Sequence, residues 1–118
     1  MSKYQITLLL ELFRQARRDG LVTDASDRSE NRATLTALGL QPSDMYDIVC
    51  STRPEQALHA PWGNRYDQFR HEMTCDFGIE VDGRDVYVKI TVVGTEANAH
   101  GCVISFHFAE KPFQYPFD

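Results

Sequence analysis

From His71 to Val93 the chain alternates between two kinds of position. His71, Met73, Cys75, Phe77, Ile79 and Val81 alternate with Glu72, Thr74, Asp76, Gly78 and Glu80, and after Asp82-Gly83 the apolar Val86, Val88, Ile90 and Val92 alternate with Asp85, Tyr87, Lys89 and Thr91. A period of two is the pattern of a strand with one buried face, and Asp-Gly supplies the positive-φ residues of a type I′ turn. A two-residue loop pairs Val81 with Arg84 and so fixes the register. Ile79 then meets Val86, Phe77 meets Val88, Cys75 meets Ile90 and Met73 meets Val92. On the other face Asp76 meets Lys89, Thr74 meets Thr91 and Gly78 meets Tyr87, while Glu80 and Asp85 set like charges together near the turn. A slip of one residue would turn every apolar side chain outward.

Helical spacing dominates the first half of the chain. Ile6, Leu9, Leu10, Phe13 and Ala16 make one apolar stripe between Ser2 and Asp19, with Arg17 and Arg18 towards the C-terminal end and Gly20 as the stop. Leu21 to Thr23 reads as a short extended piece, followed by a polar loop over Asp24 to Ser29. A second helix is expected over Glu30 to Leu38, ended by Gly39. A third begins at Pro42 with Asp44 near its N-terminus, turns Met45, Ile48 and Val49 inward, and ends near Ser51. Pro54, Pro61 and Gly63 break any periodicity from Thr52 to Arg70, so this stretch reads as a loop with one possible helical turn at Glu55 to His59. A third strand is expected over Cys102 to Phe108, with Cys102, Ile104, Phe106 and Phe108 inward and Val103, Ser105 and His107 outward. Pro112 and Pro116 bar a further central strand.

The elements predict one α+β domain, with N-terminal helices on one face of a small antiparallel sheet. At 118 residues the chain is the size of one domain with one core. No apolar run is long enough to span a membrane, which points to a cytoplasmic protein. Cys50, Cys75 and Cys102 are odd in number and widely spaced, so they read as buried core residues and not as a disulfide frame or zinc site. A net charge of −5 argues against a broad nonspecific nucleic-acid surface but leaves room for a small basic site.

The face of the sheet turned away from the helices carries the candidate chemistry. If the third strand pairs beside the second, Asp76, Tyr87, Lys89, Ser105 and His107 share one surface. A cation, an imidazole and a phenol on rigid strands suit phosphoryl chemistry, in which a cation stabilises phosphate charge and His or Tyr moves protons. The alternative is a solvated face, which carries the same residue types, with Lys89 simply paired to Asp76.

The residues that match a known family lie mainly in the second half. LGL at Leu38 to Leu40, VYVKITV at Val86 to Val92 and CVISFHFAEKPFQYPF from Cys102 to Phe117 resemble the MqsR-like (motility quorum-sensing regulator) toxins of type II toxin-antitoxin systems. The resemblance runs from about the first helix to the C-terminus. It implies a RelE-like fold, an endoribonuclease (mRNA interferase) that needs no metal or other cofactor, and a cognate antitoxin that blocks it. Carried over by position, the family's strand tyrosine matches Tyr87, the polar residue after its SF pair matches His107, and a basic residue after the third helix matches His59. The family's glutamine before the hairpin has no match, and Asp76 and Gln68 stand nearest. Histidine replaces the founding pattern's lysine twice, so the implied site depends more on pH. The implied reaction is attack of a ribose 2′-OH on the adjacent phosphate.

The Thr52 to His71 segment is locally basic, with Arg53, Arg65 and Arg70 beside His59 and His71. Such a loop would track an RNA backbone, and Trp62 and Tyr66 would stack on unpaired bases; equally, Trp62 would pin the loop to the core. His59, Asp67 and His71 fit no compact metal motif. Phe113, Tyr115 and Phe117 are expected to pack the C-terminal tail back on the domain. A noncatalytic interaction protein on the same scaffold is the alternative to a ribonuclease, since fold does not establish activity.

Overall fold

The computed structural model describes residues 2–63, 72–95 and 97–118. Helix α1 (Ser2–Arg18) leads into a short strand β1 (Val22–Asp24), then α2 (Ser29–Leu38), α3 (Pro42–Cys50), a single 3-10 turn at Pro54–Gln56, and strands β2 (Glu72–Val81), β3 (Arg84–Val93) and β4 (His100–Phe108). The class is α+β, as expected. The sheet differs from the expectation in being mixed. Its order is β1-β4-β3-β2, because Val22 to Asp24 joins β4 in parallel while the other pairs are antiparallel.

The hairpin register is the expected one at every position described, from Met73 opposite Val92 to Val81 opposite Arg84. Asp82 and Gly83 take φ values of 52° and 77°, which satisfies the type I′ turn. Phe77, Val88, Ile90 and Phe106 are fully buried under α1, whose Ile6, Leu9, Leu10 and Phe13 fill the same core. Met45 and Val49 of α3 join that core, whereas Ile48 is only half-buried. Arg14 locks the two helices, donating from Nε to Cys50 O at 2.7 Å and from Nη2 to Thr52 O at 2.8 Å. These two carbonyls at the end of α3 would otherwise lack donor partners. Of the three cysteines Cys75 is buried, while Cys50 and Cys102 are half-buried.

Strand β4 departs from the expected alternation. The pairing shifts between Lys89 and Ile90, so that Lys89 meets Ser105 but Ile90 meets Val103, leaving Ile104 as an extra residue. A bulge of this kind reverses which face the preceding residues present. Val103 is therefore buried against the helices in place of Cys102 and Ile104, while Phe106 keeps its expected inward place.

Helix α2 covers the edge of β4 that β1 is too short to reach. Asn31 donates from Nδ2 to Ile104 O at 3.0 Å and accepts from Phe106 N at 3.1 Å, and Thr34 Oγ1 accepts from Phe108 N at 3.2 Å. Side chains of a helix thus take up the hydrogen bonds that a neighbouring strand would make. At the opposite edge, the stretch expected to be loop is partly extended. Ala57 and Trp62 form isolated bridges to Phe77 and Thr74, and Leu58 N donates to Asp76 O at 3.0 Å.

Candidate active site

The second face of the sheet is neither open nor fully wet, contrary to the expectation of a solvated surface. Thr74, Asp76, Thr91 and Ser105 are buried, and Thr74 and Thr91 hydrogen-bond each other across the hairpin at 2.8 Å. The tail after β4 folds back over part of this face. Phe113 lies on Gly78, where an added Cβ would come within 2.5 Å of its ring, and Tyr115 donates its hydroxyl to Gly78 O at 3.2 Å. Only glycine leaves room for that ring.

Between the tail, the Leu58–His59 edge segment and the sheet lies a cleft of about 860 Å³, whose walls include His59, Tyr87, His107 and the residues from Ala109 to Pro116. Asp76 organises it. Its carboxylate oxygens each lie 2.9 Å from His59 Nδ1, and Oδ2 accepts from the Tyr87 hydroxyl at 2.9 Å. The Asp76 side chain is only 5% exposed while that of His59 is 68% exposed, so a buried anchor holds an imidazole whose other nitrogen reaches solvent. A carboxylate can only accept here, so Nδ1 carries the proton and Nε2 is left with its lone pair in the neutral ring. The expected Asp76–Lys89 pair is not formed. The two residues are cross-strand neighbours, but no described residue forms an ion pair with Lys89, because His59 and Tyr87 occupy the carboxylate.

Tyr87 and His107 sit opposite each other on β3 and β4 with ring centroids 5.4 Å apart. Burial, and then the hydrogen bond to Asp76, push the Tyr87 phenol well above its ordinary value. It is a protonated donor at any physiological pH and not a base. The His107 side chain is 23% exposed, less open than expected, with Nδ1 3.2 Å from Phe108 O and Nε2 3.6 Å from Glu30 Oε2. Both ring nitrogens thus face oxygen atoms. Cys75 lies just behind the site, but burial, and then the neighbouring Asp76 charge, push its thiol up to about 12, which leaves it inert as a nucleophile.

The structure thus gathers His59, Tyr87 and His107 on one cleft and sets Lys89 aside, opposite Ser105. Trp62 does not pin the edge segment into the core. The residue is 43% exposed, with its ring centroid 6.5 Å from that of His59 in an edge-on arrangement. Arg53 is exposed, pairs with Glu55 at 3.7 Å, and does not line the cleft. Arg65, Tyr66, Arg70 and the compared Gln68, Asp67 and His71 lie outside the described residues. Among the described residues no group of three His, Cys, Asp or Glu side chains is placed to hold a metal ion. Sequence reasoning missed Glu30, the central place of Asp76, and the tail as a cleft wall; Gly78 in an otherwise regular strand was the available signal for the last, since it marks close approach. A scan against protein-family models and searches of curated proteins and of solved structures find no match to this chain. Among the described residues no helix is long and apolar enough to cross a membrane.

Proposed function

We propose that this chain is a metal-independent endoribonuclease, the cytoplasmic toxin of an MqsR-like, RelE-type toxin-antitoxin pair that cuts mRNA and is held in check by a cognate antitoxin. The observation that carries the reading is two imidazoles on one cleft, His59 and His107, joined through Asp76 and Tyr87. RNA brings its own nucleophile, so the enzyme needs a base, an acid and donors for the phosphate. His59 Nε2 takes the proton of the ribose 2′-OH. The 2′-oxygen attacks phosphorus, the bond to the 5′-oxygen breaks, and protonated His107 gives its proton to that leaving oxygen. The products are a 2′,3′-cyclic phosphate and a 5′-hydroxyl. Tyr87 buttresses His107 and completes the shell around Asp76. Lys111, in the cleft wall, supplies positive charge for the phosphate, and the exposed Trp62 offers a face for an unpaired base.

The test is incubation of the purified protein with a defined RNA in the presence of a chelator. Cleavage leaving cyclic phosphate ends is expected, with His59→Ala and His107→Ala each lowering the rate by roughly 100-fold, the scale of losing one general acid or base. Intact RNA at high protein concentration would instead favour a noncatalytic interaction protein. A folded His107→Ala protein that cleaves at the full rate removes that residue from the mechanism.

A further inference from the structure

His107 belongs to the walls of two cavities. Besides the main cleft it lines a pocket of about 300 Å³ at the start of α2, together with Arg28, Ser29, Glu30, Asn31 and Ser105. Arg28 is the N-cap residue, in an extended conformation, and no side chain caps this ten-residue helix. The first-turn N–H groups of Ser29, Glu30 and Asn31 therefore have no side-chain acceptor, and the positive end of the helix dipole faces the pocket. A helix end open to water would be unremarked on those grounds alone. Ser105 supplies the second observation. It is only 6% exposed, it lines this pocket, and its hydroxyl makes no hydrogen bond with any described residue. A hydroxyl on so deeply buried a side chain, met by no described protein group and lining the pocket, is a donor that an entering ligand would engage.

The charges around it point to the sign of that ligand. Arg28 has no ion-pair partner among the described residues, and neither has Lys89, the cross-strand neighbour of Ser105. Guanidinium, helix N–H groups and a hydroxyl are all donors, the complement of phosphate oxygens. Glu30 is the opposing charge, its carboxylate turned to His107 Nε2 at 3.6 Å. We propose that this pocket binds a phosphate group between Arg28, the first turn of α2 and Ser105. On the ribonuclease reading, on which this assignment of its source rests, that group is an RNA backbone phosphate next to the one being cut, so that His107 stands between two successive phosphates.

Inorganic phosphate titrated into the whole protein, followed by amide NMR, tests the pocket without any need for cleavage. Saturable shifts are expected at Ser29, Glu30, Asn31 and Ser105. Arg28→Ala should weaken binding by about tenfold, the scale of a lost charge-assisted hydrogen bond, and Ser105→Ala by several-fold. Glu30→Gln should tighten it. Both Arg28 and Glu30 are exposed, and Ser105→Ala removes an unpartnered hydroxyl, so all three variants should fold. Shifts that do not saturate, or equal affinity in wild type, Arg28→Ala and Ser105→Ala, overturn the proposal. A second arm adds an oligonucleotide lacking 2′-hydroxyls, which cannot react. Displacement of phosphate from the same amides supports the backbone assignment, and lack of displacement overturns it in favour of a free anion. A protein that binds phosphate here and leaves RNA intact refutes the ribonuclease reading while the anion pocket stands.

Discussion

Asp76 and Phe77 are chain neighbours, 3% and 0% exposed, and they are held by opposite physics. Phe77 is one of many apolar groups under α1, none of which needs any particular partner; area removed from water is what counts. Asp76 needs its partners individually. A buried carboxylate is tolerated only when its oxygens are met, and here they are met by His59 from the edge segment and Tyr87 from the next strand. The first face is redundant and sets the fold, while the second is specific and sets the chemistry.

The comparison breaks most visibly at its centre. Phe77→Ala should cost about 3–5 kcal/mol of stability, the usual penalty for emptying a buried aromatic site, read from urea unfolding. Asp76→Asn keeps the volume, so its stability loss should stay within about 1–3 kcal/mol, the penalty of disturbing a buried hydrogen-bonding group. Cleavage should respond in the reverse order. The carboxamide no longer holds His59 as the carboxylate does, so Asp76→Asn should lose activity while folded, whereas Phe77→Ala should lose it only as it unfolds. If Asp76→Asn cleaves normally and Phe77→Ala does not while both remain folded, the division between the faces is wrong.

The same contrast explains what could be seen in the amino-acid sequence. The hairpin was legible to the residue, because period and turn chemistry both depend on local pattern. The inward place of Val103 was not, because one extra residue at Ile104 reverses the alternation and carries no compositional mark. Leu21 to Thr23 looked extended, but joining β4 in parallel depends on where α1 delivers the chain. On the polar face Tyr87 and His107 were legible as neighbours, since register alone places them. The partner of Asp76 was not. Cross-strand pairing nominated Lys89, and only the fold of the edge segment brings His59 within 2.9 Å. RNA contacts expected of Arg65, Tyr66 and Arg70 fall outside the described residues.

Gly78 offers a way to disturb the polar side alone. Its missing side chain admits Phe113, and a methyl group there would meet three ring atoms within 2.8 Å. Gly78→Ala should therefore expel the tail or strain the sheet, at about 1–3 kcal/mol. The two outcomes separate by limited proteolysis: an expelled tail becomes cleavable between Ala109 and Asp118 with the core intact. Because the tail forms a wall of the cleft, RNA affinity should change with it, while packing under α1 should not. Protection of the tail together with wild-type stability would show that Phe113 can shift at no cost.

The smallest expected effect comes from a second tyrosine–aspartate pair, which sharpens the contrast by lying outside the cleft. Tyr46 of α3 donates its hydroxyl to Asp24 at the end of β1, and Ser26 N donates to the same carboxylate at 2.7 Å. Burial alone would push the Asp24 carboxyl up, but the hydrogen bonds from Ser26 and Tyr46 outweigh it and hold the carboxyl below its ordinary value. The Tyr46 phenol moves the other way, raised by burial and then by Asp24. A depressed folded carboxyl stabilises the protein above its unfolded value, about pH 4, and that stability is lost as pH falls through the folded value; a raised folded phenol stabilises it below its unfolded value, about pH 10, and that stability is lost as pH rises. The bond should therefore contribute evenly between about pH 4 and pH 10 and fade on both sides. Tyr46→Phe should cost about 0.5–1.5 kcal/mol across that window, the net worth of one hydrogen bond, with the difference from wild type shrinking in acid. Urea unfolding of both proteins along a pH series reads this directly. RNA cleavage should be unchanged at neutral pH, because neither residue lines the cleft. A Tyr46→Phe protein with normal stability but impaired cleavage would mean that β1 and α3 reach the chemistry by some route other than packing, and the separation of the two faces would have to be redrawn.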